Sequence, residues 1–256
     1  MLRRFALVGL LSFVTLALGV PAGADEGMWT FDNFPKAKVQ SSYGFKVTDD
    51  WLHHVMRSAV RLSGCSSSFV SPQGLVATNH HCVVSCLQQL STPQRDLVAT
   101  GFLAKTAAEE AKCPELEATE LMEISDVTAR IKSATKGLDG AKYQEARKAA
   151  QAAIEKECQT SDALRCDVVS LYHGGLYALY KYKRFQDVRV VFAPEKAIAF
   201  FGGDPDNFNF ARYDLDVSFT RVYENGQPAT TEDFFKWSGK GIRDGELAFV
   251  AGNPGG

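Results

Sequence analysis

The chain contains 256 residues, of which 28 are basic and 30 acidic, so its formal net charge is −2 at pH 7. This mildly acidic balance argues against nucleic acid as a partner, because such binding needs clustered positive charge. The six cysteines are an even number, which permits complete pairing in an oxidising compartment.

Residues 1–24 have the three parts of a secretory signal peptide. A pair of arginines supplies the positive charge, Phe5–Val20 is apolar, and Ala22–Ala24 is a small-residue cleavage site. Cleavage there leaves Asp25–Gly256, which has 232 residues and a formal charge of −4. No later hydrophobic segment is long enough for a membrane helix, so we expect export without a stable membrane span.

The segment Asp49–Leu62 is the first predicted element of the mature chain. Its apolar residues recur at the spacing of one helix face, and Thr48 stands where it can cap the helix N-terminus. The spacing therefore predicts an α-helix. His53 and His54 fall within it, and we expect them to be polar residues of the helix surface.

The segment Gly64–Cys82 predicts a β-hairpin. Ser67–Val70 is the first strand, Ser71–Gly74 has the Pro and Gly positions of a type I turn, and Leu75–Thr78 is the return strand. The return strand carries Asn79–Cys82 at its end. This arrangement resembles the strand that carries the general base of a chymotrypsin-like hydrolase, and the alternative is a disulfide-bonded hairpin whose histidines are surface polar groups.

The hairpin also suggests one disulfide. Cys65 and Cys82 stand at the ends of its strands, and a bond between them would fix the backbone that carries the histidines. The other cysteines are Cys86, Cys113, Cys158 and Cys166. The last two are close enough in sequence for a local bridge, which would leave the first two as a pair, but spacing alone does not decide this pairing.

From about residue 105 to 160 the composition changes to Ala, Glu, Lys and Gln, with sparse apolar residues. Leu121–Leu138 and Ala141–Cys158 are predicted to be exposed helices, with breaks at Gly137 and Gly140. We expect this stretch to be a helical excursion out of a β-rich framework.

Strand character returns after Phe185. The predicted strands are Asp187–Pro194, Lys196–Gly203, Leu215–Tyr223 and Glu246–Ala251. In the third of these, Leu215, Val217 and Phe219 alternate with polar residues, which predicts that they face the core and that Asp216 lies on the polar face. The last strand is followed only by a glycine-rich loop, so we expect the chain to be a fragment.

A Ser–His–Asp hydrolase needs a base, a carboxylate that orients the base, and a nucleophile. His81 is the better candidate for the base than His80, because it directly precedes Cys82. Asp216 is the candidate carboxylate, since it lies on the polar face of a predicted strand further along the chain. The three serines at positions 66–68 belong to the hairpin and match no nucleophile motif.

The segments DEGMWTFDNFP, GCSSSFVSPQGLVATNHHC, FFGGDPDNFNFARYDLDVSFTRVY and GNPGG together resemble the dipeptidyl-peptidases of peptidase family forty-six of the serine class, which are secreted exopeptidases of Gram-negative bacteria. The resemblance covers nearly all of the mature chain, with the helical excursion matched least clearly. It implies a mainly β fold with a helical excursion, namely the first chymotrypsin-like β-barrel of a double-barrel peptidase. Residues 25–256 would be the N-terminal part of the peptidase domain, without the second barrel and the large helical domain.

The resemblance also implies a function and site residues. His81 and Asp216 would be two members of the triad, and Asn207 would help to hold the free α-amino group of a peptide substrate. Phe208 stands where family members commonly carry Trp, so an aromatic wall is kept without its polar N–H. The family's nucleophilic Ser lies beyond these residues, so we expect the chain alone to be inactive.

The resemblance further implies a periplasmic or cell-surface location and a homodimer when the protein is full length, and no cofactor or metal is expected. Two other functions remain open, a non-catalytic secreted binding module and a chymotrypsin-like endopeptidase. A zinc site of His80, His81, Cys82 and Cys86 is a third alternative. It is disfavoured because adjacent residues converge poorly on one tetrahedral ion and export favours oxidised cysteines.

Overall fold

The computed structural model describes residues 27–200 and 214–253, and in these ranges eleven strands form one antiparallel sheet. The strands are β1 Ala59–Leu62, β2 Cys65–Phe69, β3 Leu75–Thr78, β4 Phe102–Leu103, β5 Ala111–Lys112, β6 Ala118–Asp126, β7 Leu164–Leu171, β8 Leu176–Phe185, β9 Asp187–Ala193, β10 Ser218–Glu224 and β11 Gln227–Pro228. The helices are α1 Lys36–Tyr43, α2 Asp49–Ser58, α3 Val84–Leu90, α4 Leu97–Thr100, α5 Thr128–Ala134, α6 Gly140–Cys158 and α7 Lys196–Ala199.

Six antiparallel segments close into a barrel. The order β1–β2–β3–β10–β9 is continuous, and the segment 111–126 joins its two ends. At one end of this segment Ala111 pairs with Val190 of β9, and at the other end Glu120 pairs with Val60 of β1. The predicted fold class, a mainly β chain with a chymotrypsin-like barrel and a helical excursion, is therefore confirmed.

The barrel interior is built from side chains that alternate along the strands. Val60 and Leu62 of β1 and Val188 and Val190 of β9 are at most 1% exposed, at the two-residue spacing of a strand face. Phe69 of β2 packs edge-on against Phe185 of β8, and Val76 of β3 is buried in the same hydrophobic cluster. Buried β-branched and aromatic residues of this kind favour strands, because they pack well on a pleated surface.

A ribbon of β6, β8 and β7 extends from the barrel and carries the two longer helices of the excursion. Val127, Ile131 of α5, Ile154 of α6 and Tyr177 of β8 form a separate small core beneath these helices. The excursion is thus helical only in α5 and α6, between residues 128 and 158, and not from about 105 to 160 as the composition predicts, because strands occupy 111–112 and 118–126.

Two of the predicted helices end or begin at the wrong residue. The helix predicted over Asp49–Leu62 stops at Ser58, and the chain continues directly into β1, because its last residues pair with β2. The helix predicted over Leu121–Leu138 is a strand up to Asp126. This part pairs with β8, and the residues just before it, 118–120, are buried between β1 and β8; such pairing outweighs local helix propensity.

The strand predictions after Phe185 are mixed. β9 is confirmed, whereas Lys196–Ala199 is a short helix instead of the start of a strand, and no strand is present in the described part of the segment 246–253. β10 begins only at Ser218, and its inward face has the opposite phase to the prediction. Leu215 and Val217 are 42% and 38% exposed, while Ser218 and Thr220 are fully buried.

The reason for this phase error is that the inner face of β10 carries hydroxyl groups at its first two inward positions. Ser218 pairs with Thr78 of β3, whose hydroxyl accepts a hydrogen bond from Ser67 Oγ at 2.9 Å. Alternation of apolar and polar residues assigns the faces of a strand only when the buried face is the apolar one.

Three disulfides are present, and they match the expected pairing. The Cα atoms of Cys65 and Cys82 are 6.2 Å apart, those of Cys86 and Cys113 are 5.1 Å apart, and those of Cys158 and Cys166 are 6.1 Å apart. Within the two described ranges, no helix is long and apolar enough to cross a membrane. The predicted signal peptide, residues 1–24, lies outside the described residues.

Candidate active site

The hairpin β2–β3 brings the two histidines to one end of the barrel. Ser68 pairs with Ala77 and Phe69 pairs with Val76, and Gly74 closes the turn with a φ of +65°. The chain leaves β3 and forms a single turn of 3₁₀-helix, His80–Cys82, which the disulfide to the start of β2 holds in place. Local pairing and one covalent bond therefore fix the backbone that carries His81.

His81 and Asp216 lie in direct contact. His81 Nδ1 is 2.7 Å from Asp216 Oδ2, and the backbone N–H of His81 donates to Asp216 Oδ1 at 3.0 Å. The His81 side chain is 64% exposed, whereas that of Asp216 is only 10% exposed. A carboxylate only accepts hydrogen bonds, so the proton of the contact belongs to Nδ1 and leaves Nε2 free as a base.

The contact involves the residues that the sequence singled out and not their neighbours. It is made by His81 and not by His80, and by Asp216 and not by Asp214. A buried carboxylate that orients an exposed imidazole is the relation between the acid and the base in a hydrolase triad. Within the described residues the side-chain hydrogen bond of His81 is to Asp216, and no hydroxyl or thiol is bonded to it.

Asn79 completes the environment of this carboxylate, and the sequence reasoning missed its role. Its side-chain amide donates to Asp216 Oδ2 at 3.2 Å and to the Asp216 backbone oxygen at 3.0 Å. Asp216 therefore accepts from three N–H groups through its carboxylate, which holds it in one orientation. The sequence position of Asn79 could have indicated this role, since Asn79 directly precedes the histidine pair at the end of the return strand.

His80 points to a different environment from its neighbour. It is 3% exposed, and burial lowers the pKa of its imidazole below the usual 6.5, although the charge of Asp216 and a hydrogen bond to the Pro194 backbone act in the opposite direction. Its Nε2 atom has no hydrogen-bond partner among the described residues. His80 is thus a neutral, buried residue that links the 3₁₀ turn to the end of β9.

A cleft of about 400 Å³ opens beside the histidine–aspartate pair. Helix α3 supplies Val84 and Gln88 to its lining, and α7 with the residue after it supplies Lys196, Ala199 and Phe200. The walls are mainly apolar, as is usual for pockets that bind organic ligands with a few polar groups at defined places. The geometry therefore offers a base next to a space that could hold part of a substrate.

The sulfur atoms near His81 do not form a metal site. Donor atoms of Cys65, His81 and Cys82 lie within 4.8 Å of one another, but both cysteines are used in the disulfide. Cys86, which belonged to the alternative zinc set, is bonded to Cys113. A cysteine binds zinc as a thiolate, so these cysteines cannot serve as ligands while they are oxidised.

Both candidate substrate-binding residues, Asn207 and Phe208, lie outside the described residues. Of the three hairpin serines, Ser67 is buried and bonded to Thr78, and Ser66 Oγ accepts a hydrogen bond from the Asn253 backbone N–H at 2.7 Å. Neither contact involves His81. These two hydroxyls are therefore engaged in structural hydrogen bonds.

Comparison with known proteins gives a consistent result. The family model described as Peptidase S46 matches residues 24–256. The chain is 34% identical to an Asp/Glu-specific dipeptidyl-peptidase of Shewanella putrefaciens over 97% of its own length, and 32% identical to dipeptidyl-peptidase 7 of Porphyromonas endodontalis over 93%. Among solved structures, the crystal structure of Porphyromonas endodontalis DPP11 in complex with substrate matches 86% of this chain, with a TM-score of 0.72 and 27% sequence identity.

The matches also show how much of the relatives is represented here. The chain spans 36% of the Shewanella relative, 32% of the dipeptidyl-peptidase 7 and 36% of the DPP11 chain. It thus corresponds to about a third of the length of these proteins, which agrees with the expectation of a fragment.

Proposed function

Because the chain belongs to the Peptidase S46 family, we propose that it is the N-terminal part of a serine-type dipeptidyl-peptidase that releases dipeptides from the free N-terminus of peptides. The observation that supports this most directly is the contact of 2.7 Å between His81 Nδ1 and the buried carboxylate of Asp216. The relatives named as dipeptidyl-peptidases support the substrate class.

In this proposal His81 is the general base. Its Nε2 atom takes the proton of a serine hydroxyl as that oxygen attacks the peptide carbonyl, and later gives the proton to the leaving amine. Asp216 keeps the proton on Nδ1 and stabilises the imidazolium that forms. Asn79 holds Asp216 in the orientation that this requires, since it binds both the side chain and the backbone of that residue.

The nucleophilic serine and the oxyanion donors would lie in the part of the full-length protein that corresponds to the remaining length of the relatives. We therefore expect the chain alone not to hydrolyse peptides, because loss of a triad member costs roughly four to six orders of magnitude in turnover. Asn207, with Phe208 as an aromatic wall, would bind the substrate ammonium group. A charge-assisted hydrogen bond of this kind is worth ~1.5–3 kcal/mol.

The test uses the product of the complete reading frame and matched peptides with free and acetylated N-termini. The proposal expects release of dipeptides from the free peptides alone. Asp216→Asn should lower kcat by about four orders of magnitude, as expected when the carboxylate no longer fixes the imidazole tautomer. Asp244→Asn, which changes an exposed carboxyl in the C-terminal segment, should have no effect. Asn207→Ala should lower kcat/KM by about one to two orders of magnitude.

Other outcomes would favour the alternatives. Cleavage of acetylated peptides at internal bonds would indicate a chymotrypsin-like endopeptidase. Binding of peptides without any cleavage by the complete product would indicate a secreted binding module. If Asp216→Asn kept full activity, the assignment of the His81–Asp216 pair as catalytic would be wrong.

A further inference from the structure

The segment 246–251 has the side-chain arrangement of a β-strand, although no strand of the sheet includes it in the described part of the chain. The ring centroid of Phe249 lies 4.9 Å from that of Trp51 and 5.6 Å from that of Phe45, whereas the next side chain, Val250, is fully exposed. Successive side chains that point to opposite sides are typical of an extended chain, and no residue of the segment has a positive φ. The segment thus has the alternation of a strand without a place in the sheet.

The backbone of this segment is also available for pairing. Among the described residues, the N–H and carbonyl groups of 247–252 make no hydrogen bond, whereas the Glu246 N–H donates to the backbone oxygen of Arg243. The sequence of 247–251 is Leu-Ala-Phe-Val-Ala, in which the aromatic and β-branched residues favour strands. A row of free N–H and C=O groups on such a sequence is a template for another strand.

Both ends of the segment are fixed on the folded chain. Phe249 is held in the aromatic cluster, and at the other end the Asn253 N–H donates to Ser66 Oγ at 2.7 Å. Gly252 lies so close to the same hydroxyl that a Cβ atom on it would be 2.7 Å from Ser66 Oγ. Ser66 follows Cys65, whose disulfide holds the turn that carries the histidines. The free backbone is therefore presented in a defined place, and the chain leaves it beside the candidate active site.

The occupant that these observations favour is a later part of the same polypeptide. The chain spans 36% of the Shewanella relative and 32% of the dipeptidyl-peptidase 7, so most of the length of such proteins has no counterpart in it. Gly256 follows Asn253 by three residues, so polypeptide that continues from there starts next to the free backbone. A strand on the same chain has a high effective concentration at this place, which a separate partner or a second copy lacks.

We propose that the segment 247–251 is an edge strand to which a β-strand from the polypeptide beyond Gly256 is added in the complete protein. Main-chain hydrogen bonds supply the binding energy of such a strand addition, and the exposed side chain of Val250 supplies an apolar contact. The pairing joins the remainder of the protein to the barrel beside the backbone that carries His81. It concerns assembly and does not rest on the proposed catalytic activity.

The experiment is hydrogen exchange followed by mass spectrometry on the product of the complete reading frame and on the 256-residue chain. In the shorter chain the amides of 247–251 should exchange at nearly the rate of an unstructured peptide. In the complete product every second amide should exchange on the order of a hundredfold more slowly, because an antiparallel edge pairing bonds alternate residues. The peptide over α6, whose amides are bonded within the helix, reports that both proteins are folded.

Unprotected exchange of 247–251 in the complete product overturns the proposal. Protection in the shorter chain that increases with its concentration also overturns it, because this would show that a second copy is the occupant.

Val250→Glu gives an independent measurement. In the shorter chain the side chain is fully exposed, so the substitution should leave the melting temperature unchanged, and this chain is the matched control. In the complete product the same substitution should lower the melting temperature by several degrees, because it places a carboxylate against the added strand. An unchanged melting temperature there would contradict the proposal. Peptide release is measured separately, so failure of the proposed catalytic function and failure of this assembly give different results.

Discussion

The turn of the hairpin that carries His81 gives a quantitative test of the fold. Gly74 and Gly226 both have positive φ, +65° and +76°, but their surroundings differ. A Cβ atom on Gly74 would lie 2.9 Å from the backbone oxygen of Val222 and 3.1 Å from that of Ala229. A Cβ atom on Gly226 would meet no atom within 4 Å.

The two substitutions by alanine share one cost and differ in a second. A non-glycine residue in the left-handed region costs about 1–2 kcal/mol at either position. At Gly74 the new Cβ must also push two backbone carbonyls, and this kind of overpacking adds about 1–3 kcal/mol. We therefore expect Gly74→Ala to cost about 2–5 kcal/mol and Gly226→Ala about 1–2 kcal/mol.

The assay is urea unfolding of the oxidised chain, followed by circular dichroism, with a thermal melt as a second measurement. For a chain of this size each kcal/mol lowers the melting temperature by about 2–4 °C. Unchanged m-values would show that both variants unfold from the same compact state. Equal losses at the two glycines would refute the reasoning, because they would show that the contacts to Val222 and Ala229 carry no cost.

Three further predictions concern the surroundings of the histidines. Replacing Cys65 and Cys82 together by serine opens a loop of 17 residues and should cost about 3 kcal/mol in unfolding free energy relative to the oxidised wild-type chain. The reduced wild-type chain, which lacks all three disulfides, should lose at least as much. Asn79→Ala removes two hydrogen bonds to Asp216 at an exposed edge and should cost about 1–2 kcal/mol, while Asn79→Asp should cost more because it places a second negative charge there. Burial lowers the pKa of His80, so below pH 6.5 the unfolded chain binds a proton more readily than the folded chain, and the unfolding free energy should fall as the pH drops. Unfolding measured at a series of pH values should show a smaller loss of stability in His80→Gln than in the wild type. An equal loss would contradict this assignment.

Much of the site follows from local sequence. The hairpin is specified by its turn residues, the return strand β3 has the predicted bounds, and Cys65 and Cys82 are bonded as their places in the hairpin indicate. The choice of His81 over His80 follows from its position next to the disulfide cysteine. These features depend on interactions between residues that are close in the chain, and such interactions leave a readable pattern.

The rest was decided by partners that are distant in the chain. Residues 121–126 belong to the predicted helix Leu121–Leu138, but they form a strand because β8 pairs along 118–126. The residues just before them, 118–120, also pair with β1, and Arg57 forms an ion pair with the buried carboxylate of Glu120. The inward phase of β10 likewise does not follow from its own alternation, since Ser218 and Thr220 are the buried residues and pair with Thr78 and Val76 of β3.

The contact between His81 and Asp216 joins residues 135 positions apart. The sequence determined which residue types could form such a pair and on which kinds of element they lie. The closure of the barrel decided that they meet, because the pairing of β3 with β10 places the end of one strand beside the start of the other. The same closure placed Asn79 on Asp216, and no local pattern encodes that contact.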